Sequence, residues 1–272
     1  MLIDTHCHLD AAEFDADRVA VIQAAGAAGV EGMVVPAVEV GNFGRVQLLA
    51  HEQPQCVYAL GIHPMYVDRA DDLDLGRLQD ALSCHRDDPA LVAVGEIGLD
   101  HFVPGLDRER QSRFFGAQLK LAQALDLPVI LHVRHAQDQV LKHLRQTRVR
   151  GGIAHAFNGS LQQAQAFINL GFVLGFGGAM TFERALRIRR LASELPAEAI
   201  VLETDAPDIA PAWVHPGRNQ PEALPRIAAT LATLRRQPIE AIARQTSLNA
   251  LRVLPRLANR LSLATGRAAG AL

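Results

Sequence analysis

Pro128-Val129-Ile130-Leu131-His132-Val133 is a short apolar run with a single histidine near its end. It lacks the alternation of apolar and polar residues that marks a half-exposed strand, and such runs are typical of strands buried on both faces. Strands of this kind belong to parallel sheets that helices cover on both sides. The segment therefore predicts a central strand of an α/β protein, with a polar side chain near its carboxyl end.

Seven further segments have the same character, and longer stretches separate them. The eight predicted strands are Leu2–Ile3, Gly32–Val38, Cys56–Ile62, Leu91–Glu96, Pro128–Val133, Gly151–Ala156, Phe172–Phe176 and Ala199–Glu203. In the intervening stretch from Arg108 to Leu125, Phe114, Leu119 and Ala122 recur with the spacing of one helix face. Eight strand–helix units in roughly 250 residues match the (β/α)₈ TIM barrel, an α/β fold, in number and length.

We expect one domain over residues 1–272, with no internal linker. Two helical stretches follow the eighth strand, Pro221–Arg236 and Pro238–Leu261, and their pattern predicts helices packed on the barrel exterior. Hydrophobic residues make up 49% of the chain and charged residues 21%, which is ordinary for a globular protein with a sizeable core.

Charge and cysteine content narrow the function class and the compartment. The formal net charge is −2, so no overall positive field attracts nucleic acid, and a polyanionic substrate would depend on bound cations and local arginines. Cys7, Cys56 and Cys84 form no CxxC motif and cannot all pair, which favours a reducing compartment. Neither a signal peptide nor a ~20-residue apolar window is evident. We expect a cytoplasmic protein without membrane association, and a monomer is compatible with these features.

Metal-binding residue types stand at the predicted carboxyl ends of the strands, where barrel enzymes carry their catalytic groups. They are His6 and His8 after strand one, His63 after strand three, Glu96 on strand four, His132 on strand five, His155 on strand six and Asp205 after strand eight. The strand bodies hold almost no other ionisable groups. Clustering on one rim is the strongest sign of function in the sequence.

His6-Cys7-His8 places two imidazoles on one side of an extended chain, because residues two apart face the same way. Together they can chelate a divalent ion, while Cys7 should point outward as a small buried apolar residue. Glu96 is a carboxylate among apolar and glycine residues, where an unpaired charge is costly. It should bridge two metal ions; the alternative is an ion pair with Arg134 or another arginine.

His132 and His155 end neighbouring predicted strands and form a second half-site, although either one alone would more often be a core histidine. In Glu203-Thr204-Asp205, alternation puts both carboxylates on one face. Glu203 lies deeper and should serve in hydrogen bonding, whereas Asp205 can bind an ion and accept a proton from water. His63 should hydrogen-bond the substrate phosphate or leaving group, or else support the ligands.

The chain resembles the TatD family of metal-dependent deoxyribonucleases in the amidohydrolase superfamily, over roughly residues 1–254. The matching motifs, in order, are Ile3-Asp4-Thr5-His6-Cys7-His8, Gly61-Ile62-His63-Pro64, Gly95-Glu96-Ile97-Gly98-Leu99-Asp100, Pro128-Val129-Ile130-Leu131-His132, His155-Ala156-Phe157-Asn158-Gly159, Glu203-Thr204-Asp205-Ala206-Pro207, Arg218-Asn219-Gln220-Pro221 and Thr246-Ser247-Leu248-Asn249-Ala250. Two departures bear on substrate preference. Val133-Arg134-His135 stands where the family usually has Ser-Arg-Asp, and Ala156 stands where it usually has Cys.

The resemblance implies two divalent cations, with Mg, Mn and Zn all compatible. His6, His8, Glu96 and Asp205 would surround one ion, and Glu96, His132 and His155 the other. It also implies hydrolysis of DNA, commonly from the 3′ end of single strands. Asp205 and Glu96 would be the catalytic residues, with Arg134 and His63 binding the substrate.

Two other functions stay open: a small-molecule hydrolase of amides, lactones or phosphoesters, and, more remotely, a non-catalytic metal-binding accessory protein. Base-stacking candidates in the rim loops are Tyr66, Phe102, Phe157, Phe176 and Trp213, with loop packing as the more frequent role. A basic run on the helix after strand seven could follow a nucleic-acid backbone or simply face solvent. The run consists of Arg184, Arg187, Arg189 and Arg190.

Overall fold

A computed structural model describes residues 1–265, so the last residues of the expected domain, 266–272, lie outside it. The eight strands of this part are β1 Leu2–Asp4, β2 Val30–Pro36, β3 Cys56–Leu60, β4 Leu91–Asp100, β5 Val129–Arg134, β6 Gly152–Ala154, β7 Phe172–Phe176 and β8 Ile200–Leu202. The α-helices are α1 Arg18–Ala27, α2 Phe43–Glu52, α3 Asp74–Cys84, α4 Arg108–Ala124, α5 Gln137–Gln146, α6 Leu161–Asn169, α7 Leu186–Glu194, α8 Leu224–Arg235, α9 Ile239–Val253 and α10 Pro255–Thr265. Short 3₁₀ helices span Ala12–Phe14, Val40–Asn42, Pro64–Tyr66, Gly178–Thr181, Ala197–Ala199 and Pro221–Ala223.

The strands form one parallel sheet in the order β1 to β8, with each strand paired to the next in the sequence. Backbone hydrogen bonds join the first and last strands where they end: Thr5 N donates to Leu202 O (3.1 Å) and Asp205 N to His6 O (2.8 Å). The sheet is thereby nearly closed, and helices lie between successive strands. The predicted (β/α)₈ fold is confirmed.

Alternation along the strands divides the core into two layers. Val34 and Val57 belong to the cluster inside the barrel, whereas their neighbours Val35 and Tyr58 pack in the larger cluster between the sheet and the helices. Because both faces of each strand are covered, the strands carry apolar residues at nearly every position. This is why they lack a two-residue polarity pattern in the sequence.

The second C-terminal helical stretch is two helices rather than one, α9 and α10. Leu254, Leu257 and Leu261 belong to the same cluster as the residues inside the barrel, so α10 covers the end of the barrel where the strands begin. Arg256 donates to Leu91 O at the start of β4 (3.1 Å), which fixes that position. The opposite end, where the strands finish, remains available for a site.

Helix α4 holds two strand ends through buried glutamines. Its N-cap is Asp107, whose side chain accepts hydrogen bonds from two backbone amides of the first turn. Gln118 receives the Ile62 amide (2.7 Å) and donates to the Ile62 carbonyl (3.1 Å), directly before His63. Gln111 receives the amide of Asp100 (3.0 Å). Two residues that face the site are thus braced from outside the barrel.

Among residues 1–265, no helix has the length and hydropathy needed to cross a membrane.

Candidate metal centre

Histidines and carboxylates from six strand ends converge at the carboxyl rim of the barrel. Three groups of them bring their nitrogen and oxygen atoms within 4.8 Å of one another, close enough for each group to hold a metal ion. The groups are His6 with His8 and Glu96, His6 with His155 and Asp205, and His63 with Glu96 and His132. The structure therefore brings together every residue that the sequence pattern nominated as a ligand.

Glu96 lies at the centre of the cluster, and its two carboxylate oxygens face different partners. Oε2 is 3.2 Å from His6 Nε2 and 3.6 Å from His8 Nε2. Oε1 is 3.1 Å from both His132 Nδ1 and His155 Nε2. Arg134, the alternative partner considered for Glu96, points elsewhere. The two oxygens of Glu96 thus face two different pairs of imidazoles.

The His6-Cys7-His8 segment has the expected facing. The Nε2 atoms of His6 and His8 are 3.2 Å apart and both point at the centre. Cys7 is fully buried on the other side, with its Sγ 3.7 Å from Val34 O. The thiol therefore lies outside the cluster, in the apolar layer under the helices.

Asp205 completes the half of the site that contains His6 and His8. Its Oδ1 is 3.5 Å from His6 Nε2 and 3.7 Å from His8 Nε2. The backbone at Asp205 has a φ of 59°, which turns the chain sharply after β8 and aims the side chain inward. Buried Asn219 holds this turn, because its side-chain amide donates to Thr204 O (2.7 Å) and Asp208 O (2.9 Å).

His63 belongs to the other half of the site. Its Nε2 is 3.3 Å from Glu96 Oε1, and its Nδ1 accepts a hydrogen bond from Met65 N (3.1 Å). With Nδ1 acting as the acceptor, the ring proton is on Nε2 and points at the centre. His63 is therefore closer to the metal-type groups than a residue that only contacts substrate needs to be.

Asp100 was missed as a site residue. Its Oδ2 is 3.0 Å from His132 Nε2, on the side of the ring away from Glu96, so it orients the imidazole. We expected the fourth strand to end at Glu96, but β4 continues to Asp100. On one extended strand, residues 96 and 100 share a face, and that alternation was the available signal.

Asp4 was also missed, and it joins the first and last strand ends. It is fully buried and accepts from Thr204 N (3.0 Å), from Thr204 Oγ1 (2.5 Å) and, more weakly, from His6 N (3.3 Å). It thereby positions the backbone of both His6 and the segment that carries Asp205. Burial raises the pKa of this carboxyl to about 7, against the hydrogen bonds from Thr204.

Glu203 lies deeper than Asp205, as predicted from their alternation. Its Oε1 accepts from Ala156 N (2.5 Å) and is 3.7 Å from His155 Nδ1. The backbone of Ala156 has a φ of 44°, which lets its amide point down at this carboxylate. Glu203 therefore supports the segment that carries His155.

The site shifts the pKa values of its buried groups in opposite directions. Burial alone would raise the pKa of Glu96, but the His63, His6 and His155 imidazoles outweigh it and hold that pKa well below the usual range. Burial raises the pKa of Asp205 to about 6, partly offset by His155 and His8. Burial and the neighbouring His155 lower the pKa of His6 well below its ordinary value.

The donor set fits divalent cations. No lysine or arginine nitrogen of the described residues lies within 4.0 Å of Glu96 or Asp205, although both carboxylates are buried. A buried carboxylate without a lysine or arginine partner is costly. Imidazole nitrogens are common ligands of Zn and Mn, and carboxylate oxygens are common ligands of Mg and Mn. Metal ions would supply both carboxylates with a cationic partner.

Arg134 stands at the edge of this cluster. Its guanidinium lies over the exposed ring of Phe102, with Cζ 3.9 Å from the ring centroid, and Nη1 is 4.0 Å from Asp100 Oδ2. Nearly half of the Arg134 side chain is exposed, so its donors face solvent above the site. This is a suitable place to contact a phosphate.

The aromatic candidates for base stacking separate by exposure. Phe157 and Phe176 are only 1% exposed, so that prediction was wrong for both: they pack in the layer between sheet and helices. Phe102 is 51% exposed and remains available. Tyr66 and Trp213 are half-buried, and each is covered by an arginine.

The predicted basic run is only partly on α7, because Arg184 precedes the helix, and two of its arginines already have partners. Arg189 donates to Met180 O (3.1 Å), and Arg190 pairs with Glu194 (2.9 Å). Arg187 instead lines a rim cavity of about 560 Å³, together with His135 after β5 and residues 158–160 before α6. His135 thus occupies the part of the rim where the sequence departs from the family motif.

Several known proteins are similar to this chain in sequence. A family model described as TatD related DNase matches residues 3–255. The chain is 44% identical to an uncharacterized metal-dependent hydrolase, YjjV, of Escherichia coli K12, over 91% of this chain and 95% of the relative. It is 33% identical to the 3′-5′ ssDNA/RNA exonuclease TatD of Salmonella typhimurium, over 92% and 97% of the two chains.

Solved structures are similar to this chain in fold. The crystal structure of YjjV superposes with a TM-score of 0.90 at 42% identity, covering 93% of this chain and 98% of that one. A TatD family hydrolase of Entamoeba histolytica gives a TM-score of 0.82 at 18% identity, over 93% and 97% of the two chains, and so shares the fold.

Proposed function

This chain belongs to the TatD-related DNase family and is a metal-dependent hydrolase, and we propose that it removes nucleotides from the 3′ end of single-stranded DNA. The observation that carries the proposal is the division of Glu96, with one oxygen toward His6 and His8 and the other toward His132 and His155. A bridged pair of cations suits the displacement at a phosphodiester, where attacking and leaving oxygens both need stabilisation. The exonuclease named among the relatives supports the substrate class.

The proposed ligand sets follow the two sides of Glu96. His6, His8 and Asp205 would hold one divalent cation with Oε2, and His132 and His155 would hold the other with Oε1. His63 carries its ring proton on Nε2, which is 3.3 Å from Oε1, so it would donate to the leaving oxygen rather than bind a cation. When bound, the two cations would polarise the phosphoryl oxygens and favour deprotonation of the attacking water.

The protein's own groups would orient the substrate and move the proton. In this proposal Asp205 binds the cation through Oδ1, which leaves its second oxygen, Oδ2, to accept the proton of the water that attacks phosphorus. Arg134, held by Phe102 and Asp100, would donate to the non-bridging oxygens of the phosphate. The exposed face of Phe102 beside it can stack on a base.

The test is hydrolysis of single-stranded DNA labelled at either end. Purified protein is loaded with Mg, Mn or Zn and incubated with 5′-labelled and 3′-labelled strands, with an RNA strand of the same sequence alongside. We expect the 5′ label to shorten through a ladder of products, while the 3′ label appears at once as mononucleotide.

Asp205→Asn serves as the matched control for contaminating nucleases. The asparagine keeps the shape and one ligating oxygen but cannot accept a proton, so turnover should fall by roughly 10² or more. Binding of single-stranded DNA should stay within about tenfold. If the wild type leaves both strands intact with every metal but cleaves a lactone, an amide or a small phosphoester, the nuclease proposal is wrong and a small-molecule hydrolase replaces it.

A further inference from the structure

A groove of about 800 Å³ runs between α4 and α5 on the outside of the barrel, and none of the proposed metal ligands lines it. Two facing helical stripes line it, because residues three and four apart share one helix face. On α4 the stripe consists of Glu109, Ser112, Arg113, Gly116, Ala117 and Lys120; on α5 it consists of Gln139, Lys142, His143 and Gln146.

The groove has an excess of positive charge. Lys120 and Lys142 are the only two lysines in the chain, and both are exposed and line this groove. Neither forms an ion pair with another residue of the described part of the chain. Arg113 is neutralised by Asp72 (2.8 Å), and Glu109 is the one carboxylate among the lining residues. Arg108 adds a further exposed cation at the upper end.

A hydrogen bond and a small residue join the two helices within the groove. Ser112 Oγ on α4 and His143 Nε2 on α5 are 2.8 Å apart, and both residues line the groove. A Cβ at Gly116 would lie 3.5 Å from His143 Nδ1, so any larger side chain there would begin to fill the groove. Glycine in the middle of a helix costs about 0.5–1 kcal/mol of stability relative to alanine. Keeping the groove open explains a glycine at position 116.

The upper end of the groove reaches the carboxyl rim of the barrel, where residues next to the metal centre in the chain line it. His101 lines the groove and directly follows Asp100, whose carboxylate contacts His132. The amide of His101 donates to the carbonyl of Arg134 (2.8 Å). From Arg108 to Lys120 the helix rises about 18 Å, at 1.5 Å per residue, which is the length of several nucleotides.

We propose that this groove, lined by Arg108, Lys120 and Lys142, binds the backbone phosphates of the uncleaved part of a single-stranded nucleic acid. This inference rests on the proposed function, which places the 3′ end at the metal centre and so directs the 5′ part of the strand outward. With a net charge of −2, the protein has no general attraction for a polyanion, so an unpaired group of cations beside the site is where one would bind.

The experiment compares a long ligand with a short one. Metal-loaded protein is titrated against fluorescein-labelled phosphorothioate (dT)20 and (dT)2, which resist hydrolysis, and binding is followed by anisotropy. The variant is Lys120→Glu with Lys142→Glu. Its matched control is Arg86→Glu with Arg244→Glu, which makes the same change in net charge at two exposed arginines outside the groove.

We expect the ratio of (dT)20 affinity to (dT)2 affinity to fall about tenfold in the groove variant and to change less than twofold in the control. Losing two phosphate contacts should also flatten the log–log salt dependence of (dT)20 binding by about 1.4, at roughly 0.7 per contact on single strands. The milder pair Lys120→Gln with Lys142→Gln should show a smaller loss in the same direction.

An equal loss in the control pair, or an unchanged salt slope, would overturn the groove proposal. So would a wild type that binds (dT)20 no better than (dT)2. These outcomes are distinct from failure of the proposed function, which is read from hydrolysis. Groove-dependent binding of (dT)20 without cleavage of DNA or RNA would leave the groove standing and refute the nuclease, whereas cleavage without groove dependence would do the reverse.

Discussion

Gly175 on β7 allows the buried carboxylate of Glu203 to sit beneath His155. A Cβ added at Gly175 would lie 2.5 Å from Glu203 Cδ and 2.7 Å from Oε1, closer than real Cβ atoms approach. Glu203 is 1% exposed, so its side chain has little space to retreat into. Gly175→Ala should therefore displace the carboxylate rather than being absorbed by a flexible surface group.

The magnitude follows from the two contacts that Glu203 would lose or strain. Overpacking a core position costs about 1–3 kcal/mol. The hydrogen bond from Ala156 N to Glu203 Oε1 (2.5 Å) involves a charged acceptor, and such bonds contribute about 1.5–3 kcal/mol. Together the free energy of unfolding should fall by roughly 3–5 kcal/mol, and Tm by on the order of 10 °C. Because Glu203 also supports His155, metal affinity should fall about 10–100-fold.

Thermal unfolding and metal titration of Gly175→Ala measure both effects. Gly26→Ala is the matched control, because nothing lies within 4 Å of a Cβ at this helical position and alanine there should be neutral or stabilising. Adding Glu203→Asp, which shortens the side chain, should recover part of the loss. A Gly175→Ala protein with wild-type Tm and wild-type metal affinity would show that Glu203 does not occupy this position.

Three further predictions address the metal centre. Glu96→Gln should reduce occupancy at both metal positions, whereas His155→Ala should mainly empty one; elemental analysis distinguishes the two, and loss of a single ion in both variants would contradict bridging. Removing the metal with a chelator should lower Tm by roughly 5–10 °C. The reference is protein with metal at a hundredfold above Kd, where binding contributes about 2.7 kcal/mol to stability. An equal Tm with and without metal would contradict the ligand assignment. Arg134→Ala should raise KM for single-stranded DNA about 10–100-fold, the scale of a lost charge-assisted hydrogen bond, with Arg134→Lys intermediate; an unchanged KM would remove Arg134 from phosphate binding.

The barrel was predictable because its strands are covered on both faces. Continuous apolar runs such as Phe172–Phe176 have no other place in a globular fold, and that strand was predicted with the bounds it has. Strand ends were less predictable, because glycines and polar residues occur both within the last paired residues of a strand and in the loop that follows it. β4 extends four residues past Glu96, because Leu99 and Asp100 pair with Val133 and Arg134 on β5. Pairing between strands is not visible in one segment alone.

The converging ligands were predictable for a related reason. Parallel strands bring their carboxyl ends to one rim, so histidines and acids at those ends must meet whatever the details of the loops. The supporting residues were less evident. Asp4, Asp100 and Glu203 act through backbone amides and ring nitrogens whose positions depend on tertiary structure. The burial of Phe157 was less predictable, because side-chain facing after a strand depends on the turn, whereas Phe176 ends a strand that the sequence already predicts to be buried on both faces.

The distribution of charge separates chemistry from binding in this protein. The carboxylates of the site are buried, and the cations of the chain lie at its edge or beyond it: Arg134 stands over Phe102, and Lys120 and Lys142 line the α4–α5 groove. Metal ions at the centre would therefore supply the attraction for the reacting phosphate, because no lysine or arginine reaches Glu96 or Asp205 within the described residues. It follows that changing the ligands should act on turnover and on binding of the reacting phosphate, whereas changing the groove lysines should act only on how strongly longer strands bind.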